Sequence, residues 1–101
     1  MEVSTKCQNR NLELYLKGEL DHHGARGVLK QMETCIEETL PLVMILDFSG
    51  VTFMDSSGIA VVLRGWQRMR ELDGSVVIRH VAPQAKKVFD AAHINRMVTV
   101  E

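Results

Sequence analysis

Only two cysteines, Cys7 and Cys35, occur in the 101 residues. They are too few and too far apart for a disulfide framework or a zinc cluster, so incidental thiols are expected. No apolar run approaches the roughly 18 residues needed to span a bilayer. Met1 to Asn11 carries no hydrophobic signal core, so the chain is expected to stay in the cytoplasm without a membrane partner. A surplus of charge is missing too. A formal net charge of −1 argues against a generic nucleic-acid binder, which needs a basic face, so no direct nucleic-acid partner is expected. No linker, internal repeat or low-complexity tract divides the sequence. What remains is a length suited to one small core, with the 46% hydrophobic and 25% charged content of an ordinary globular protein.

Catalytic signatures are missing as well. There is no G-x-S-x-G elbow, no P-loop and no dinucleotide fingerprint, and no base is identifiable for Ser57. An enzyme is not expected, nor a cofactor. His22-His23 could suggest a metal, but neighbours on a helix point about 100° apart and no third ligand stands at a suitable spacing. No metal site is expected.

Taken in order, Val3 to Cys7 has the look of an edge strand, and Gln8-Asn9-Arg10-Asn11 of a hairpin turn. Leu12 to Lys17 alternates, apolar at even positions, as a half-buried strand does. Asp21 is a candidate N-cap for a helix near 23–40, which Pro41 stops. Leu42 to Phe48 shows no alternation, which predicts a strand covered on both faces or deep in a parallel sheet. Ser49 to Thr52 reads as a loop. A helix near 57–72 follows, with Ile59, Val62, Leu63, Trp66 and Met69 as its apolar face, and Leu63 and Trp66 buried against the sheet. Asp73-Gly74 suits its end, with the glycine left-handed. Ser75 to His80 predicts a further strand, Pro83 opens a helix near 83–92 with Ala85, Val88, Phe89 and Ala92 as a short apolar face, and 97–100 closes as a strand. Strand and helix alternate from Leu12 onward, which implies an α/β fold of mainly parallel strands joined by successive β-α units, beside an N-terminal edge strand.

The stretch Phe53-Met54-Asp55-Ser56-Ser57-Gly58-Ile59 sits between the central strand and the second helix. Asp55, Ser56 and Ser57 are residue types that cap helices, so a plain N-cap is one reading. The other is a phosphate site, since two hydroxyls meet the positive end of a helix dipole and its orphan N–H groups. Spacing alone does not choose between them.

Three blocks occur here in the order found in STAS-domain anti-sigma factor antagonists. They are Gly18-Glu19-Leu20-Asp21-His22-His23, Leu46-Asp47-Phe48, and Phe53-Met54-Asp55-Ser56-Ser57-Gly58. The chain resembles that family from about Leu12 to Val100, and the first and last blocks together are most similar to its sporulation branch rather than the general-stress branch. The resemblance implies a STAS-like fold and a single STAS domain over 1–101. Family members usually carry a further C-terminal helix, for which no residues follow Glu101. It also implies a transcription regulator that binds an anti-sigma serine kinase and frees the sigma factor held by that kinase. Phosphorylation of Ser57, in a loop shared with Asp55, Ser56 and Gly58, would end that binding, and a serine phosphatase would restore it.

The expected partner-binding residues are Asp21, His22, Ile59, Val61 and Arg64. On a helical wheel Ser57, Val61, Arg64 and Arg68 share one stripe, opposite Ile59, Leu63 and Trp66, so Val61 is expected to face outward. Arg64 and Arg68 lie roughly 10 and 16 Å along the axis from Ser57, which suits acidic groups on a partner better than a clamp on the phosphate. Two alternatives stay open. One is a receiver-like domain with Asp47 as aspartyl-phosphate acceptor, although no acidic pair stands near the first strand to hold a metal. The other is a STAS module that binds a nucleotide or other small ligand without a phosphoswitch.

Overall fold

A computed structural model describes all residues, Met1–Glu101. Five strands form one sheet in the order β1-β2-β3-β4-β5. Strand β1 (Glu2–Gln8) is antiparallel to β2 (Asn11–Leu20). Asn9 and Arg10 both take positive φ, 53° and 62°, as the two central residues of a tight hairpin turn must to match strand twist. From β2 onward every pairing is parallel, through helix α1 (His22–Thr39), β3 (Val43–Met54), α2 (Ser57–Glu71), β4 (Ser75–Arg79), α3 (Pro83–Ala91) and β5 (Thr99–Val100). A 3-10 turn at Ile94–Arg96 precedes β5. The α/β architecture and the succession of β-α units are as expected. No helix is long and apolar enough to cross a membrane.

The helices share one face of the sheet. Leu12, Leu14 and Leu16 of β2, Met44, Leu46 and Phe48 of β3, and Val76 and Ile78 of β4 are buried. They meet Val28, Met32 and Ile36 of α1, Val61, Val62 and Met69 of α2, and Ala85 and Phe89 of α3 in one core. Phe48 and Phe89 pack edge to face, with ring centroids 5.4 Å apart. The alternate residues Glu13, Tyr15, Val43, Ile45, Val77 and Arg79 are half-buried or exposed on the other face. The Leu42–Phe48 segment thus lies deep in the parallel sheet, between β2 and β4, with its second face only partly covered. Its missing alternation comes from Val43 and Ile45, apolar residues on the less covered side.

Two further expectations fail. Ser49 to Thr52 is not a loop: β3 runs on to Met54, with Gly50 opposite Lys17 and Val51 opposite Gly18 after a register shift. Pairing with β2 overrides the local turn chemistry. At the end of α2, Asp73 takes the left-handed conformation (φ 56°) and Gly74 does not.

Helix α2 is also rotated from its expected orientation. Its buried residues are Gly58, Val61, Val62, Gly65 and Met69. Leu63 is 38% exposed, and Trp66 is half-buried, with the Arg70 guanidinium 5.2 Å from its ring centroid. Two glycines decide the rotation. A Cβ on Gly58 would lie 2.3 Å from Met54 Sδ, and one on Gly65 would lie 2.7 Å from Met44 Cε. The helix approaches the sheet through a side that carries hydrogens, a signal that apolar periodicity does not register.

Candidate functional site: the loop between β3 and α2

Parallel strands β2 and β3 end side by side, Leu20 opposite Met54, so the two following loops emerge together. The Asp55 N–H donates to the Leu20 carbonyl at 3.3 Å and ties one loop to the other. Asp21 caps α1, its Oδ1 accepting from the Gly24 N–H at 2.8 Å. That bond, with the main-chain bonds around it, lowers the Asp21 carboxyl from its ordinary value. His22 is exposed beside it, 3.3 Å from the Arg26 guanidinium. Asp21 and His22 thus stand at the same edge as the Asp55-Ser56-Ser57 loop.

In that loop Asp55 does the capping. Its Oδ1 accepts from the Ser57 N–H at 2.7 Å, and its carbonyl accepts from the Gly58 N–H at 3.1 Å. The Ile59 N–H donates to the Ser56 carbonyl at 3.1 Å. Ser56 occupies the cap position in a helical conformation (φ −62°, ψ −16°) without a side-chain capping bond. Neither serine hydroxyl is consumed by capping. The N–H groups of Ser57, Gly58 and Ile59 are taken within the loop, however, so they form no open cradle for an added anion. A phosphate here would meet the helix dipole but not free donors.

Beside the loop lies a groove of about 450 Å³ between α2 and α3, lined by Ser56, Ile59, Lys87, Val88, Ala91 and Ala92. Ile59, expected both in the apolar stripe and at the partner surface, is half-buried at its wall. Of the apolar face expected on α3, Ala85 and Phe89 are buried, Val88 packs partly against the core and lines this groove, and Ala92 lines the groove.

The expected outward stripe of α2 breaks at Val61, which is fully buried and offers a partner nothing to touch. Ser57 itself is half-buried. Arg64 is exposed but paired with Glu33 of α1, and Arg68 reaches Glu37 at 3.3 Å and Glu71 at 3.5 Å. These arginines join α2 to α1 across the outer surface of the helix pair.

Asp47 is 5% exposed on β3. One carboxylate oxygen accepts from the Ser49 N–H at 2.9 Å, and the other lies 2.9 Å from His80 Nδ1. Burial pushes this carboxyl up, but the bonds from Ser49 and His80 outweigh it and hold it below the ordinary value. Both oxygens are engaged in structure, which leaves the receiver-like alternative without an open acceptor. A group with a depressed folded-state pKa contributes stability above its unfolded pKa and loses it as pH falls through the folded one. Asp47→Asn is therefore expected to cost about 1.5–3 kcal/mol at neutral pH, the range for a hydrogen bond to a charged group. Urea unfolding should show the gap between wild type and variant narrowing below about pH 4. A gap unchanged between pH 7 and pH 3 would contradict the role given to the carboxylate.

The residues the sequence left unremarked are Gln84 and Lys87. The Gln84 carboxamide bonds both main-chain groups of Met54, the residue before Asp55. No local pattern marks such a contact, because it joins residues 30 apart.

Comparison with known proteins agrees with the fold. The family described as "STAS domain" matches residues 2–101. The anti-sigma F factor antagonist of Paenibacillus polymyxa is 28% identical over 100 residues, covering 99% of this chain and 86% of that protein. The anti-sigma F factor antagonist of Lysinibacillus sphaericus is 36% identical over 77 residues, which span 73% of this chain and 63% of that one. Among solved structures, the anti-sigma factor antagonist SpoIIAA in its unphosphorylated form superposes with a TM-score of 0.77 at 25% identity, covering 99% of this chain and 87% of its own. Sheet order, helix placement and a family match over nearly every residue lead to one conclusion: the chain belongs to the STAS domain family.

Proposed function

We propose that this protein is an anti-sigma factor antagonist switched by phosphate on Ser57, a regulator and not an enzyme. The unphosphorylated form binds an anti-sigma serine kinase in the cytoplasm and so releases a sigma factor. Phosphorylation ends the binding, and a serine phosphatase reverses it. The observation that carries the reading is the division of labour at the loop. Asp55 takes the cap, and two serine hydroxyls stand uncommitted at a helix N-terminus beside an apolar groove. The names of the similar proteins supply the partner class.

The docking surface combines the groove, Ile59, and the neighbouring Asp21 and His22. Val61 drops out of it because it is buried. Arg64 takes part only by exchanging Glu33 for an acid on the partner. Phosphate brings roughly −1.5 to −2 charge and three acceptor oxygens to this contact. The helix dipole favours that charge locally, so the fold persists while a partner built around a neutral hydroxyl is displaced.

Incubation with ATP and the anti-sigma kinase of the same organism, followed by intact-mass measurement, tests the proposal. One added phosphate, stable in acid and placed on Ser57 by peptide fragmentation, is the expected result. A base-labile acyl phosphate would point to aspartate and overturn it, and modification of Ser56 alone would move the acceptor by one residue.

A further inference from the structure

Beyond Asp47, β4 no longer accompanies β3: their pairing covers only Val43 to Asp47. Strand β3 nevertheless continues for seven more residues, to Met54, with β2 on one side only. At Met54, where the chain turns into the switch loop, a side chain supplies the missing neighbour. The Met54 N–H donates to Gln84 Oε1 at 2.9 Å, and Gln84 Nε2 donates to the Met54 carbonyl at 2.7 Å. A carboxamide carries the same donor and acceptor as a peptide group, so Gln84 stands in for one residue of an adjoining strand. On the other side Asp55 N–H bonds Leu20, and the Met54 side chain lies directly beneath Gly58. Met54 is thereby held at both edges and covered by Gly58 of α2, three residues before Ser57.

Gln84 also heads a particular stripe of α3. Val88 and Ala91 follow at steps of four and three on the same helix face, and both line the groove beside Ser56. One side chain thus registers the wall of the groove against the loop that carries the hydroxyl. We propose that Gln84 is a positioning residue for phosphorylation of Ser57. It holds the loop so that Ser57 Oγ and the α2–α3 groove face a docked kinase in one fixed geometry. The proposal rests on the Ser57 reading above. In the reaction served, Ser57 Oγ forms a bond to the γ-phosphorus of ATP as the bond to the β–γ bridging oxygen breaks. ADP leaves, and the hydroxyl proton passes to a base of the kinase or to water. Such a transfer is sensitive to misplacement of the nucleophile by a fraction of an ångström to an ångström, and the loss appears in kcat.

Gln84 as a whole is solvent-exposed on the first turn of α3, so its replacement leaves the core untouched. Gln84→Ala removes both bonds to Met54. Gln84→Glu keeps the size and an acceptor, adds a charge favourable at a helix N-terminus, and turns a carboxylate oxygen toward the Met54 carbonyl. Both variants, with wild type, would be followed by amide hydrogen exchange and by steady-state phosphorylation with the cognate anti-sigma kinase and ATP. Exchange of the Met54 amide is expected to accelerate about tenfold or more in Gln84→Ala, while amides of the β2–β3 ladder keep wild-type rates. In both variants kcat should fall about tenfold with KM changed less than twofold, and thermal midpoints should stay close to wild type.

Uniformly faster exchange with unchanged kcat would make Gln84 a stability residue only and overturn the proposal. So would an unchanged Met54 exchange rate, or a loss confined to KM, which would mean that the kinase merely touches Gln84. Wild-type protein that takes no phosphate on Ser57 would remove the switch reading, and the positioning role with it. Phosphorylated wild type with fully active variants would remove the positioning role alone.

Discussion

Ser57→Ala should take up no phosphate from the anti-sigma kinase, yet bind it as wild type does. Ser57→Asp should remain folded and bind at least tenfold more weakly. The structure makes the alanine variant a clean one. The α2 cap is the Asp55 carboxylate, which accepts the Ser57 main-chain N–H that any residue retains. The change is therefore expected to shift stability by no more than about 0.5 kcal/mol, as for a substitution away from caps and core. Aspartate puts its charge at the favourable end of the dipole but close to Asp55, so its net effect on the fold is small. On the partner it is larger. A coupling of about 1.4 kcal/mol already corresponds to tenfold in affinity. True phosphate, with more charge and longer reach, should exceed the mimic. Calorimetric titration of each form against the kinase, with circular dichroism on every variant, measures this. Equal affinity for wild type, Ser57→Ala and phosphorylated protein would remove the switch and favour a STAS module that binds a small ligand.

The second large effect is expected at Gly58, where the functional loop meets the core. A Cβ there would stand 2.3 Å from Met54 Sδ, 2.5 Å from Met54 Cγ and 3.2 Å from Leu20 Cδ2. Met54 and Leu20 are fully buried, and Cγ is too near the main chain to swing clear. Overpacking costs about 1–3 kcal/mol, and contacts this short belong in the upper half of that range, against the roughly 1 kcal/mol that alanine gains over glycine in a helix. Gly58→Ala should therefore lose about 1–2 kcal/mol, and Gly58→Val about 3 kcal/mol, because valine adds two methyl groups and restricts χ1. At about 4–8 °C per kcal/mol, the valine variant should melt at least 12 °C below wild type. Gly65→Ala is the control. Its Cβ would meet Met44 Cε at 2.7 Å and Met32 Sδ at 3.0 Å, the far parts of flexible chains that can move aside. It should cost less than about 1 kcal/mol. Denaturant unfolding of the three variants decides the matter; Gly58→Val as stable as Gly65→Ala would refute the close approach at the loop.

The sequence by itself determined the order of elements, their type and the place of the D-S-S-G motif between β3 and α2. Alternation in Leu12 to Lys17, the stop at Pro41, the start at Pro83 and the turn before Asn11 are short-range signals. Each depends on neighbours within a few residues, and β2, α1, α3 and the β1–β2 hairpin appear where those signals put them. The D-S-S-G motif was legible for the same reason, because capping is local chemistry.

Contacts between distant residues decided the rest. Strand β3 runs through Ser49 and Gly50 because β2 offers a ladder there. Val61 turns inward and Leu63 outward because Gly58 and Gly65 let α2 sit close over Met54 and Met44, and a helix approaches along its smallest side chains. Of two adjacent serines and an aspartate, all able to cap, only folding showed that Asp55 takes the cap. Gln84 carries no mark in its own neighbourhood. Its role exists because β4 stops pairing at Asp47, and the buried strand edge at Met54, left without a neighbouring strand, still requires a donor and an acceptor.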